Sequence, residues 1–447
     1  MIRVRINRDM LRRADERSDL LDGFEAALRA IDPAYLVSDA VSLSGDILTI
    51  DAHPCDLRGR HIHGLAIGKA AIPMAAALEA VLGGRLACGI ALTPHGFGTP
   101  LEITEVLEAG HPFPDEASLR AAERIHRFSA ARSSDDLVLV LLSGGGSPLL
   151  ASPPHGVSLE DLSEITRMLH ACGATIDELN TVRRHLSTLA GAQLLRRLVP
   201  ATTVTLAISD VVGDRPEAIA SGPTAPDPTT FADARTILSR HGLWHRAPSS
   251  IRDHVSAGLQ GHVDETPDAG DPIFSTARFT LLATNQTAQD AVADSSGGHR
   301  VEYLANPLSG EAAEVGRTLA DLAIKTRQRI SGPTILVGGG ETTVTLRGAG
   351  TGGRNQEVAL AAAIALDGMD GIIVGTLATD GVDGPTDAAG AVIDGTTCAR
   401  ARTLGLNPRD ALERNDSYSI LQATGDLLRT GPTRTNVADL VAIRLDP

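Results

Sequence analysis

Leu137-Val138-Leu139-Val140-Leu141-Leu142-Ser143-Gly144-Gly145-Gly146-Ser147 is an unbroken apolar run that ends in a glycine loop. An apolar run with no polar alternation is what a strand covered on both faces requires, as in a parallel sheet flanked by helices. Similar runs at residues 61–67, 88–92 and 203–208 alternate with helical patterns at 70–82, 115–131, 159–171 and 177–198, with Asp115 and Ser158 as N-caps. This alternation predicts an α/β layered domain. Residues 258–272 are polar, turn-rich and without period, so they are expected to form a linker between a domain at 1–257 and a second at 273–447. The second series has strand signals at 279–283, 334–337, 343–346, 372–377 and 440–445. Thr342-Thr343-Val344-Thr345-Leu346-Arg347 alternates in period two, which predicts an antiparallel or edge strand and hence a mixed second sheet.

Composition narrows the function classes. With 447 residues, 43% apolar and 21% charged, the chain is long enough for two buried cores. A net charge of −15 opposes a nucleic-acid or anionic-membrane partner, because phosphate backbones are held by clustered basic charge. No apolar window approaches the ~18 residues of a membrane helix, and the amino terminus lacks the pattern of a signal peptide. Cys55, Cys88, Cys172 and Cys398 show no metal-ligand or redox spacing, so a reduced, cytoplasmic setting is expected.

The unusual residues gather at strand ends. Only two of the forty basic residues are lysine, and one of them, Lys69, follows the run Leu65-Ala66-Ile67-Gly68 directly. A compact ammonium suits a point contact with phosphate or carboxylate, where guanidinium is a planar fork. In open α/β sheets, ligands sit outside the carboxyl ends of the strands. Lys69, the Ser143–Ser147 loop and Ser209-Asp210 all fall there, and three glycines let backbone amides approach an anion. Asp210 is a candidate for binding magnesium or accepting a proton. Asn180-Thr181-Val182-Arg183-Arg184-His185-Leu186-Ser187 concentrates positive charge on one helix. The second half offers Gly338-Gly339-Gly340-Glu341-Thr342-Thr343, then Gly348-Ala349-Gly350-Thr351-Gly352-Gly353-Arg354-Asn355-Gln356-Glu357 ahead of an alanine-rich helix. Arg354 near that helix N-terminus suits a polyphosphate. Glycines 348, 350 and 353 formally satisfy a dinucleotide fingerprint, without the acidic residue that fingerprint needs about 20 residues on. Thr379-Asp380-Gly381-Val382-Asp383-Gly384-Pro385-Thr386-Asp387 puts three carboxylates in one turn, candidates for magnesium. Thr433 and Asn436 precede the last strand and are candidates to line the same pocket. Serine-hydrolase and zinc-enzyme motifs are missing, which leaves phosphoryl transfer, whose catalysis is positioning and charge neutralisation.

Together these segments, with Glu108-Ala109-Gly110-His111-Pro112 and Gly431-Pro432-Thr433, resemble the glycerate 2-kinase family whose carboxyl-terminal half is called the MOFRL domain. The resemblance runs through almost the whole chain in order. It departs at Ala190-Gly191-Ala192, where the family has lysine before a glycine pair, and at Asn436-Val437-Ala438-Asp439, where it has Asn-Val-Asn-Asp. It implies a Rossmann-like amino-terminal domain, a smaller MOFRL domain with a mixed sheet, and an active site in the interdomain cleft. It also implies ATP- and Mg2+-dependent phosphorylation of D-glycerate at its 2-hydroxyl. Lys69, Arg354 and Asp210 are then the expected catalytic residues. Gly144, Gly145, Gly146, Ser147, Gly339, Gly340, Glu341, Thr342, Asn355 and Asn436 are expected at the nucleotide. Arg183, His185 and Ser209 are expected at the substrate, and Asp210 and Asp380 at the metal. A homodimer fits these expectations, and residues 9–30 are free to pack on either domain. The rival activity is a nicotinamide-dependent hydroxypyruvate reductase, which would use the formal glycine fingerprint but gives Lys69 no task.

Overall fold

Strand polarity and order position the candidate site, and the buried runs supply its strands. A computed structural model describes residues 6–447, which fall into two units: Pro33–Leu282, and residues 6–32 with Ala283–Pro447. The first unit opens with an antiparallel meander of β1 (Val41–Ser44), β2 (Ile47–Ile50) and β3 (His53–Asp56). Its main sheet contains β4 (His61–Ile67), β5 (Leu86–Pro94), β6 (Thr104–Ala109), β7 (Asp136–Leu142), β8 (Thr202–Ile208) and β9 (Ala277–Ala283), in the order β6-β5-β4-β7-β8-β9. From β6 to β8 all neighbours are parallel. Every residue of β7 is buried, as its uninterrupted apolar run requires. Leu65, Val138, Val140 and Leu142 pack with Ala121, Ile125 and Phe128 of the helix Glu116–Ala130. The chain builds outward from β4 through β5 to β6, then returns to β7 on the other side of β4. The order therefore reverses between β4 and β7, the switch point outside whose strand carboxyl ends open α/β sheets place their ligands.

Helix starts follow their caps. Asp115 accepts from the Ser118 amide at 3.1 Å, and Ser158 from the Asp161 amide at 3.0 Å, both in capping boxes. The helix expected over 177–198 is instead two helices, Ile176–His185 and Gln193–Leu198. Between them Gly191 and Ala192 take positive φ, and their amides donate to the carbonyls of Ser221 and Gly222. The apolar period continues through this break, so periodicity alone conceals it.

In the second unit a mixed sheet runs β10 (Arg300–Tyr303), β12 (Thr334–Thr343), β16 (Asp439–Leu445), β13 (Ile372–Ala378), β14 (Gly390–Asp394) and β15 (Leu427–Leu428). β11 (Leu308–Glu311) also pairs with β12. β10 and β11 are parallel to β12, whereas β16 is antiparallel to both β12 and β13. The helix Ser18–Ala30 packs here, with Phe24 against Gly375 and Gly23 against Val292 of the helix Asn285–Asp294. Buried Arg17 pairs with Asp394 and Asp426.

Three expectations are corrected. The strand signal at 279–283 belongs to β9, which joins the edge of the first sheet, because a strand signal carries no information about its partner. Residues 258–272 lie within the first unit, where Asp227 donates its amide to the Pro267 carbonyl and Thr266 donates to the Asp227 carboxylate at 3.0 Å. Polar, turn-rich composition suits an ordered surface loop as well as a linker. Finally, β12 runs through Gly338-Gly339-Gly340 to Thr343, and residues 344–347 are not a strand.

Candidate active site

At the switch point, the loops after β4 and β7 are stitched together through backbone. Ser143 donates its amide to the Ile67 carbonyl, Lys69 donates to the Gly144 carbonyl at 2.9 Å, and Ala70 donates to the Ser143 hydroxyl at 3.0 Å. Gly68 has φ +120°, and a Cβ there would lie 2.4 Å from the Ser143 carbonyl oxygen, so only glycine passes. At Gly144 a Cβ would fall 1.8 Å from an Asp210 carboxylate oxygen. At Gly145, with φ +81°, it would meet His111 Nε2 at 3.0 Å and Lys69 Cγ at 3.2 Å. Lys69, His111 and Asp210 are thus gathered around two glycines that leave room for them. Beside the loop, the hydroxyls of Ser147 and Ser221 share a hydrogen bond of 2.7 Å. Buried Ser209 accepts from the Val211 amide at 3.3 Å and so fixes the turn that carries Asp210.

Arg183 projects from Ile176–His185, and among the described residues no carboxylate pairs with it. Burial pulls its pKa below the ordinary guanidinium value. A half-buried, uncompensated guanidinium is a ready receptor for a carboxylate. His185, two residues on and so on another face of the helix, is different. Its ring is buried against Phe231, with Nδ1 on the Thr181 carbonyl at 2.8 Å and Nε2 facing Glu265 and Thr266. Both nitrogens are committed to the core, so His185 drops out of the substrate set.

In the second unit Arg354 Nε donates to Asp439 at 2.6 Å and Nη2 to the other Asp439 oxygen at 3.1 Å, while Nη1 donates to Glu341. Asp439 is buried, and that desolvation pushes its carboxyl up to about 6 despite the opposing pull of Arg354. The Asp383 carboxylate accepts from the amides of Asn355 and Gln356 at 3.0 and 2.9 Å. Two of the amides at the start of Arg354–Ala365, those of Asn355 and Gln356, are therefore already used. Asn355 is buried with its side chain on Asp383, and Thr342 is buried in β12.

The glycines of β12 serve packing. A Cβ on Gly339 would meet Asn285 Oδ1 at 1.9 Å, and one on Gly340 the Leu308 carbonyl at 2.3 Å. The formal fingerprint is likewise taken up: Gly348 and Gly350 close on the Arg414 carbonyl, and Gly353 on Asp383. The three carboxylates of the 379–387 turn also part company. Asp380 accepts from the Val382 amide, Asp383 caps the helix, and Asp387 pairs with Arg429 at 2.9 Å. Among the described residues no three His, Cys, Asp or Glu side chains form a metal-ligand group. Asp380 and Asp210, one in each unit, each present carboxylate oxygens of the hard kind that magnesium takes. Asn436 accepts from the Ala438 amide at 3.1 Å and so shapes the approach to Asp439. His111 and Asp439 are the residues to which sequence alone assigns no individual role at the site, whereas Asp383, one of the three turn carboxylates, serves as the cap of Arg354–Ala365; His111 had a local signal, its place at the end of a strand-terminal motif.

A parallel sheet with a lysine, an aspartate and a glycine loop at its switch point is the layout of an α/β enzyme acting on an anionic ligand, and the relatives place the chain in the kinase class. Residues 19–256 match the family model described as Domain of unknown function (DUF4147), and residues 334–439 match the MOFRL family. A glycerate 2-kinase of Pyrococcus horikoshii is 41% identical over 421 residues, covering 93% of this chain and 94% of its own. The crystal structure of a glycerate kinase from Thermotoga maritima superposes with a TM-score of 0.85 at 36% identity, covering 96% of this chain and 99% of that one. A protein of Agrobacterium vitis, provisionally named a hydroxypyruvate reductase, is 42% identical over 416 residues, 91% of this chain and 92% of its own. The chain belongs to the glycerate 2-kinase family with a MOFRL domain.

Proposed function

We propose that this protein is a D-glycerate 2-kinase that transfers the γ-phosphoryl group of ATP to the 2-hydroxyl of D-glycerate, giving 2-phosphoglycerate and ADP. The observation that carries this reading is the gathering of Lys69, His111 and Asp210 around Gly144 and Gly145 at the switch point of the parallel sheet. In phosphoryl transfer the bond from phosphorus to the ADP oxygen breaks as the bond to the substrate hydroxyl forms. Charge spreads over the equatorial oxygens, and the protein's work is to place and neutralise them. Lys69 does this with a point charge, and Arg354 holds the phosphate chain. Arg183 grips the glycerate carboxylate, which sets the 2-hydroxyl toward Asp210 as proton acceptor. Asp380 would hold Mg2+ together with phosphate oxygens, and the cation supplies charge neutralisation there. Asp210 is better kept as the base, because a carboxylate neutralised by a divalent cation accepts a proton poorly.

The reductase alternative has lost its main support, since the three fingerprint glycines are filled by Arg414 and Asp383. An assay following ADP release with D-glycerate, hydroxypyruvate, tartrate and glycerol as acceptors decides between the readings. D-glycerate should be the best acceptor, with 31P NMR placing the phosphate on the 2-oxygen. Oxidation of NADH by hydroxypyruvate, with no ADP formed from glycerate, would replace the kinase by the reductase.

A further inference from the structure

The two carboxylates on Arg354 are unequal. Asp439 has 4% of its side chain exposed and holds two guanidinium nitrogens, whereas Glu341 is 50% exposed and holds only Nη1. Removing Asp439 would strand a buried charge, which is costly; moving Glu341 returns its carboxylate to water. A phosphate reaching Arg354 therefore comes in on the Nη1 side and displaces Glu341. β12 limits how far that carboxylate goes, since neighbouring Thr342 is buried in the sheet and fixes the backbone beneath it. One guanidinium between two carboxylates leaves this site with an excess of negative charge before any ligand arrives. The displaced carboxylate then stands close to the incoming phosphates and repels them in proportion to their charge.

We propose that Glu341 is a specificity-determining residue that makes the site favour metal-chelated over bare polyphosphate. Chelation halves the net charge of ATP, so the repulsion from Glu341 falls mainly on the free nucleotide. The inference rests on the reading of Arg354 as a phosphate-binding residue. Glu341 then has a role distinct from a simple nucleotide contact: it covers the guanidinium when the site is empty and opposes the wrong ionic form when it fills.

Calorimetric titration of the full chain with ATP, once in EDTA and once in excess Mg2+, tests this. Glu341→Gln should tighten binding of bare ATP by about three- to tenfold, the range for a partly screened charge, and that of the Mg2+ complex, with half the charge, by only about two- to threefold. Glu341→Asp, which keeps the charge, should keep most of the wild-type preference. Equal tightening of both forms by Glu341→Gln, or weakening of either, would overturn the proposal. Arg354→Ala separates the two levels. If it leaves both affinities unchanged, the phosphate-binding reading of Arg354 fails; if it weakens both while Glu341→Gln does not shift the preference, only the role of Glu341 fails.

Discussion

The chain contains Gly-Gly-Gly twice, and the two runs have opposite meanings. At residues 144–146 two of the missing side chains leave space for Asp210, for His111 and for the Lys69 stem. At residues 338–340 the vacant positions are filled by Leu304, Asn285 and Leu308, which are packing groups of the same sheet and its flanking helix. The first run is a loop after a buried strand, the second part of one. A glycine run therefore says only that something comes close to the backbone, and its function depends on what that something is.

Exchanging alanine between the runs gives the largest expected effect. Gly144→Ala pushes the Asp210 carboxylate aside, and misplacing a reacting group by about 1 Å costs on the order of 100-fold in kcat. Its melting temperature should change little. Gly339→Ala should do the reverse, destabilising the fold by about 1–3 kcal/mol through overpacking against Asn285 while the folded fraction keeps near-normal turnover. Thermal melts and steady-state kinetics on the two variants would break the contrast if both lost stability alike or both lost only activity.

A smaller effect sharpens the first region. Arg183→Gln should raise the KM for glycerate by roughly ten- to a hundredfold, the worth of a charged hydrogen bond in a desolvated site, with the KM for ATP nearly unchanged. An ATP-specific defect would move Arg183 from the carboxylate to the nucleotide.

The smallest effect probes what braces the first run. Ser152, just beyond the short helix Gly146–Leu149, bonds His126 at 2.9 Å and Thr188 at 2.5 Å. Burial, aided by Arg197, pushes His126 down to about 4. A base depressed in the folded state contributes stability that is complete above its usual value near 6.5 and is lost as pH falls toward 4. Between those values the urea midpoint of the wild type should fall more steeply than that of His126→Gln, by on the order of 1 kcal/mol in stability. Parallel pH profiles would show that the imidazole is not the group responsible.

How much of this was legible in the sequence follows the same division between local and non-local causes. The strands β4, β5, β7 and β8 announce themselves because a strand buried on both faces needs an unbroken apolar run. Asp115 and Ser158 are legible as caps because their partners lie three residues away. Lys69 is legible as a strand-end lysine in a chain of arginines. The capping of Arg354–Ala365 by Asp383 is not, because that carboxylate comes from nearly thirty residues downstream. Nor is the engagement of Arg354 with Asp439, or the withdrawal of His185 into the core, since both depend on partners distant in sequence. The four-residue strands of the meander are too short for a periodic signal.

The helix Ser18–Ala30 belongs to the unit completed by Ala283–Pro447, so Pro33–Leu282 is an insertion into its neighbour's chain. During synthesis Leu20, Leu21, Phe24 and Leu28 leave the ribosome first and wait for Val292 and Gly375. At ~5–20 residues per second the delay is tens of seconds, during which an apolar helix face stays uncovered. The inserted unit has all its strands available before the other unit does, so the helix made ahead of it is among the last to be secured.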